Sequence, residues 1–164
     1  MIKRDHVFTP EKLKYIKGNE RPDVDCILCS IVKEDPKVKI LEILRTDYFI
    51  ISANLYPYNP GHIMIFPIKH IENITEFNTE EILELHNLQI LSMKKIKEIY
   101  GAFGFNIGYN IGLVSGASIA HLHLHIVPRY PKETGFMDII GGARIYVEDP
   151  KVTVQKLKQA FKNE

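Results

Sequence analysis

The chain has 164 residues, of which 45% are hydrophobic and 25% are charged, a composition typical of one globular domain. Its 21 lysine and arginine residues nearly balance its 20 aspartate and glutamate residues, which argues against nucleic acid and acidic membranes as partners. No apolar run approaches the roughly 18 residues of a membrane span, and none follows the charged first residues as in a signal peptide. We therefore predict a cytoplasmic protein that holds any anionic ligand at a local site.

The first motif along the chain is a C-x-x-C pair formed by its two cysteines, Cys26 and Cys29. In a reducing compartment this spacing favours a metal clip or a redox pair over a structural disulfide. A thioredoxin-type pair is disfavoured because no βαβ pattern surrounds it. Two reduced cysteines beneath a sheet are the remaining interpretation.

Three predicted strands follow one another. Residues 39–44 and 48–53 are β-branched, apolar runs separated by three residues, a pattern that predicts a hairpin. The turn sequence at 56–61 leads into a third strand at 62–66, which Pro67 should end.

A long amphipathic helix is predicted to run from the cap Asn78 to about residue 100. Asn78 and Glu81 have the spacing of a capping box, and Gly101 is suited to ending the helix. Its predicted apolar face consists of Ile82, Leu85, Leu88, Ile96 and Ile99.

Two further strands, at 105–110 and 121–127, and a terminal helix at 152–161 complete the pattern. Five strands around one long helix predict an α+β fold, with a five-stranded antiparallel sheet, one long helix and short terminal helices. No repeat or long linker divides the chain. We therefore expect one domain over 1–164, with extensions at 1–25 and 130–164.

Three histidines at alternate positions mark the last predicted strand. Because side chains alternate between the faces of a strand, His121, His123 and His125 should share one face and a common cavity. The chain has only seven histidines, so this regular spacing argues against coincidence. Imidazoles serve as nucleophiles, proton donors or metal ligands near neutral pH, so a catalytic site and a pure metal site both fit.

A glycine- and serine-rich segment at 104–118 leads into the histidine strand. Its backbone N–H groups and hydroxyls could bind phosphate oxygens, although a flexible turn has the same composition. It matches neither G-x-x-x-x-G-K-[ST] nor a G-x-G-x-x-G that follows a strand, so it is not a P-loop or a Rossmann loop.

These segments together resemble the signature of the histidine triad (HIT) family, and imply its fold. That signature has an Asn, then G-x-S/T, then three histidines alternating with apolar residues, which here are Asn110, 116–118 and 121–125. The tract at 60–62 resembles the family's P-G-H strand. Asn54 stands where family members hold the ribose of a nucleotide.

The resemblance covers nearly the whole chain and is to the branch that contains bacterial and archaeal diadenosine tetraphosphate phosphorylases. It includes the C-x-x-C and the segments 8–16, 58–62, 135–137 and 140–142. The sequence departs from that branch at two places, where Phe8 and Tyr130 replace its usual tryptophans.

The resemblance implies a role for each site residue. His123 would attack the α-phosphorus of a nucleotide and form a nucleotidyl-histidine, while its other nitrogen donates a hydrogen bond to a carbonyl. His125 and Asn110 would hold the non-bridging oxygens. Ser118 and the Gly116 backbone would bind phosphate and help the leaving group to depart.

The resemblance also implies a structural zinc ion and a homodimer. The zinc would have two thiolate and two imidazole ligands, namely Cys26, Cys29, His70 and His121. The dimer would pair two sheets through the long helix and its neighbouring strand.

The leading prediction is a nucleotidyl-transfer enzyme, a diadenosine tetraphosphate phosphorylase that uses a nucleotide and inorganic phosphate. The enzymatic alternative is a hydrolase of dinucleoside polyphosphates or nucleoside phosphoramidates. Two non-enzymatic hypotheses are a nucleotide-binding regulator with negligible turnover and a protein whose histidines only ligate zinc. The intact nucleophile position favours an enzyme over the regulator.

Overall fold

The computed structural model describes residues 21–131 and 148–162. The resemblances predicted at 8–16, 135–137 and 140–142 lie outside these residues. The elements of the described chain, in order, are α1 (Ile27–Val32), β1 (Glu42–Arg45), β2 (Phe49–Ala53), β3 (Ile63–Pro67), α2 (Thr79–Tyr100), β4 (Gly104–Tyr109), β5 (Leu124–Arg129) and α3 (Pro150–Lys162). Single 3-10 turns occur at Ile74–Glu76 and Leu113–Ser115.

The five strands form one sheet in the order β1-β2-β3-β5-β4, and every pairing is antiparallel. This confirms the predicted α+β fold with a five-stranded antiparallel sheet. All residues of the central strands β2 and β3 are buried, because both faces of the sheet are covered. One face, which includes Ile51, packs with residues of α2 and α3. The other face, which includes Ile50 and Phe66, packs against α1.

The long helix α2 confirms the predicted capping box. The side chain of Asn78 accepts a hydrogen bond from the Glu81 N–H at 2.9 Å, and the Glu81 carboxylate accepts one from the Asn78 N–H at 2.9 Å. Gly101 ends the helix in the left-handed region, at φ +62°.

The prediction for one residue of the helix face is wrong, because Ile82 is 54% exposed. In the first turn it is Glu81 that faces inward, since its carboxylate caps the helix and also meets Lys69 Nζ at 2.7 Å. The rest of the face is as expected, with Leu85, Leu88 and Ile96 buried and Ile99 half-buried.

The predicted bounds of the last strand are shifted. β5 begins at Leu124 rather than at residue 121, because the preceding residues bond elsewhere: the Leu122 N–H donates to the Ile71 carbonyl at 2.7 Å. Pro128, which was expected to end the strand, lies inside it opposite Phe105. Its carbonyl accepts a hydrogen bond from the Asn59 amide at 2.6 Å.

The terminal helix α3 is present and joins the main core through Leu157, which is fully buried. Helix α1 was not predicted. It begins after Cys26, whose thiol accepts a hydrogen bond from the Cys29 N–H. Across the described residues, none of the helices has the length and apolar character that a bilayer crossing requires.

Candidate functional site

The three alternating histidines lie where the chain enters β5, but they do not share one cavity as expected. His121 is buried within a cluster of thiols and imidazoles, whereas His123 and His125 line a cleft of about 410 Å³. Residues 121–123 precede β5, and the His121 ring lies beside the sulfurs of Cys26 and Cys29. The segment therefore serves two neighbouring sites, called here the metal cluster and the cleft.

The metal cluster consists of the four residues that were predicted as zinc ligands. Their donor atoms all lie within 4.8 Å of one another, and the residues are Cys26, Cys29, His70 and His121. The Nδ1 atom of His121 lies 3.6 Å from the sulfur of Cys26 and 3.5 Å from that of Cys29. The sulfur of Cys29 lies 3.2 Å from Nδ1 of His70. In a tetrahedron with zinc–sulfur bonds of about 2.3 Å and zinc–nitrogen bonds of about 2.0 Å, sulfur and nitrogen are roughly 3.5 Å apart. The predicted ligand set thus has the composition and spacing that zinc requires.

Both imidazoles of the metal cluster are oriented by a partner on their other nitrogen. The Nε2–H of His121 donates to the Pro67 carbonyl at 2.9 Å, and Nε2 of His70 lies 3.6 Å from the Glu72 carboxylate. Each partner keeps the Nδ1 lone pair on the side of the sulfurs, which is the arrangement that metal-binding histidines use.

Burial governs protonation in the metal cluster. Burial lowers the pKa of His121 to about 4, so the ring is neutral and has a lone pair to offer at neutral pH. Burial, followed by the hydrogen bond and charge of Cys26, raises the pKa of Cys29 to about 11. A cation among these atoms would stabilise the thiolate that burial disfavours.

The cleft is lined by both apolar and polar residues. The apolar side chains come mainly from α1 and the loop before β1: Ile27, Leu28, Ile31, Val38 and Leu41. All six residues predicted for catalysis and nucleotide binding also line it: Asn54, Asn110, Gly116, Ser118, His123 and His125. The lining thus combines apolar surface, which suits a flat ring, with polar groups, which suit a phosphate.

His123 is buried, and one of its nitrogens is committed. Its Nδ1–H donates to the carbonyl of His121 at 2.8 Å, so the lone pair lies on Nε2. Burial lowers the pKa of His123, and the hydrogen bond to the carbonyl opposes this only in part. The ring is thus a neutral imidazole with a defined tautomer at neutral pH.

A contact that the sequence analysis missed joins His62 to His125 of the cleft. The Tyr58 N–H donates to Nδ1 of His62 at 3.0 Å, which places the His62 proton on Nε2. That nitrogen lies 3.1 Å from Nδ1 of His125, so His125 carries its own proton on Nε2. The P-G-H tract was the only sequence signal for this contact.

Two lysines of the cleft were also missed. Lys37 and Lys39 line it, and no sequence motif singled them out. Both lie in the irregular loop before β1, where nothing in the pattern fixes their direction.

The glycine- and serine-rich segment reaches the cleft through a turn that requires glycine. Gly112 and Gly116 have φ values of +81° and +89°, in the region that favours glycine. Gly116 and Ser118 line the same cleft as His123. Backbone N–H groups exposed by such a turn are suited to anion binding.

Comparison with known proteins places these features in a family. The sequence profile of the HIT domain matches residues 32–132. A relative named AP-4-A phosphorylase, from Mycobacterium tuberculosis, is 40% identical over 106 residues, which are 64% of this chain and 54% of the relative. The chain thus spans about half the length of that relative. An adenosine 5'-monophosphoramidase of Schizosaccharomyces pombe is 29% identical over 113 residues, covering 68% of this chain and 80% of that protein.

A solved structure with the same fold is that of a Zn-bound histidine triad family protein from Mycobacterium smegmatis. It superposes with a TM-score of 0.70 and 23% identity, covering 85% of this chain and 94% of that one.

Proposed function

The chain belongs to the histidine triad family, and we propose that it is a nucleotidyl-transfer enzyme that acts at the α-phosphate through His123. The observation that carries the proposal is the buried His123 ring, which lines the cleft and whose Nδ1–H is bound to a carbonyl, so that the lone pair is on Nε2. We further propose diadenosine tetraphosphate as substrate and inorganic phosphate as acceptor. The likeness to the AP-4-A phosphorylase supports this choice.

In the first half-reaction Nε2 of His123 attacks the α-phosphorus in line. A nitrogen–phosphorus bond forms, and the bond to the bridging oxygen breaks with its electron pair leaving on the polyphosphate product. His125, which carries its proton on Nε2, and Asn110 hold the non-bridging oxygens as charge builds. Ser118 and the Gly116 backbone bind the leaving phosphate chain.

In the second half-reaction an oxygen of inorganic phosphate attacks the same phosphorus. The nitrogen–phosphorus bond breaks and its electron pair returns to Nε2, which restores the neutral imidazole. Gly116 and Ser118 would hold the acceptor where the leaving chain had been, an advantage in proximity that mobile water lacks. Lys37 and Lys39 at the cleft add positive charge for the polyphosphate.

Product analysis tests the acceptor. With diadenosine tetraphosphate, phosphorolysis gives ATP and ADP, whereas hydrolysis gives ATP and AMP. Chromatography of reactions with and without inorganic phosphate should show ADP that depends on phosphate. AMP appearing at the same rate in both reactions would make the protein a hydrolase, a second candidate that the likeness to the adenosine 5'-monophosphoramidase favours.

We propose that zinc occupies the metal cluster. The donor set of two thiols and two imidazoles, the tetrahedral spacing and the oriented rings all fit this ion, which would supply a four-coordinate structural centre. We expect a cytoplasmic location, because reduced thiolates persist in a reducing compartment. Metal analysis of protein purified without chelator should find one zinc per chain, and finding none would refute this assignment.

We also propose a homodimer and a single domain over 1–164. β4 is an edge strand with three consecutive exposed residues, 106–108, and next to it Phe103 is 83% exposed. A sheet edge beside exposed apolar side chains is suited to pairing with a second copy. Sedimentation analysis should give a dimer, and Phe103→Asp should weaken it. A wild-type monomer at micromolar concentration would contradict the assignment.

A further inference from the structure

We propose that the metal cluster positions the nucleophile: by fixing the side chain of His121 it fixes the carbonyl that orients the His123 ring. This goes beyond a purely structural role for the cluster, and it rests on the proposed function of His123. His121 is in this sense a positioning residue, since it acts on the reaction only through His123.

The carbonyl of His121 controls the state of the His123 ring. It accepts the Nδ1–H of His123 at 2.8 Å, and this hydrogen bond selects the tautomer that leaves Nε2 able to attack. If the carbonyl moved, the ring could rotate or exchange tautomers. Nucleophilic attack requires the nitrogen to lie in line with the scissile bond, so either change would slow it.

The carbonyl is held by contacts outside the sheet. The pairing of this segment with β3 begins at Leu124, which lies opposite Ile65, so His121 precedes the strand ladder. Its position depends instead on the Leu122 N–H, which donates to Ile71, and on its own ring. That ring is fixed at one nitrogen by Pro67 and faces two sulfurs with the other.

The metal cluster links His121 to distant parts of the chain. The two sulfurs come from the start of α1, and the second imidazole belongs to His70, which follows β3 by three positions. A metal ion bound to all four would therefore tie the segment before β5 to α1 and to the end of β3. Metal-bound histidines have fixed ring orientations. A fixed His121 ring would in turn hold the backbone of His121, including its carbonyl.

The experiment compares the zinc-loaded protein with the protein after chelation and with His70→Ala, using histidine labelled with ¹⁵N. The His70 side chain is 43% exposed and meets the segment at the ring of His121, so its loss should weaken the metal site and leave the core packing intact. Long-range ¹H–¹⁵N spectra report the tautomer of each ring. In the zinc-loaded protein His123 should be a single Nδ1–H tautomer, and both treatments should give averaged shifts for that ring. We expect kcat to fall about 10- to 100-fold with little change in KM, as for a small misplacement of a reacting group.

The control is Leu157→Ala in α3, which removes a fully buried side chain outside the metal cluster. It should lower stability and leave both the His123 tautomer and kcat unchanged, because it does not act on His121. Should the metal-free chain unfold, cadmium-loaded protein gives the same comparison in a folded chain, since the larger ion lengthens the bonds to the ligands and shifts the His121 ring.

The outcomes separate this proposal from the proposed function. His123 signals that are identical with zinc, without zinc and with cadmium overturn the positioning role, whether or not nucleotides are turned over. Signals that shift with the metal in a protein lacking all nucleotidyl-transfer activity support the positioning role and overturn the proposed function.

Discussion

The segment 121–125 supplies histidines to both the metal cluster and the cleft, and the two sites differ in what those histidines face. In the metal cluster four donor atoms face one another within 4.8 Å, and the His121 ring is fully buried. In the cleft the donors face a volume of about 410 Å³ that is open to a ligand. His121 and His123 each bond a carbonyl through one nitrogen, so what the other nitrogen faces decides between ligand and nucleophile.

Of the variants considered, His123→Ala should have the largest effect, and it should affect the cleft without affecting the metal cluster. Loss of the nucleophile should lower kcat by about 10³-fold or more, while nucleotide affinity changes little and bound zinc is unchanged. Steady-state kinetics with metal analysis checks this. His86→Ala, on the exposed face of α2, is the matched control and should behave as wild type. Wild-type turnover in His123→Ala would show that His123 is not the nucleophile.

His125→Ala should have the next largest effect. Losing one donor to the non-bridging oxygens should cost about 10²-fold in kcat, because such donors act mainly on the transition state. The nucleotidyl-histidine should still form, only more slowly, which rapid-quench sampling can follow. A complete loss of the intermediate, as in His123→Ala, would mean that His125 acts in the attack itself.

Cys29→Ser should affect the metal cluster and leave nucleotide binding in the cleft intact. Removing a thiolate should release the metal and cost about 3 kcal/mol of folding free energy, which lowers the melting temperature by roughly 6–12 °C. Nucleotide binding in the cleft should persist at a temperature where the variant is folded. Calorimetry with metal analysis checks both values. An unchanged zinc content would show that Cys29 is not a ligand.

The smallest expected effect is that of Gly116→Ala, which tests whether the turn before the histidines binds phosphate. Gly116→Ala places a Cβ in open space but at φ +89°, which costs about 1–2 kcal/mol of backbone strain. The turn should shift, and KM for the nucleotide should rise several-fold. Gly104→Ala is the control, because its Cβ would meet only the Cβ of Arg129, at an ordinary 3.9 Å, and its φ is not in the left-handed region. Equal KM values for the two variants would remove the turn from phosphate binding.

Local patterns predicted the parts of the molecule that local physics determines. The capping box of Asn78 and Glu81 and the stop at Gly101 identified the long helix, since each depends on residues within one turn. The convergence of the metal ligands came from the family resemblance, because those ligands are up to 95 residues apart.

Sequence reasoning missed three features, and each depends on a contact that the apolar pattern does not encode. Nothing in the period-two pattern shows that His62 meets His125, 63 residues away. Nor does the pattern show that the strand begins only at Leu124, since a hydrogen bond from Leu122 to Ile71 sets that boundary. The exposure of Ile82 was missed because the neighbouring Glu81 has a capping role that competes with burial of the apolar face.

The most direct test of the central claim is intact-mass spectrometry of protein quenched at alkaline pH shortly after mixing with diadenosine tetraphosphate in the absence of phosphate. The wild-type chain should gain one adenylyl group, which peptide mapping places on His123 and which inorganic phosphate then removes. His123→Ala should gain none. A wild-type chain that turns the substrate over without any adduct, or an adduct on another residue, would contradict the account.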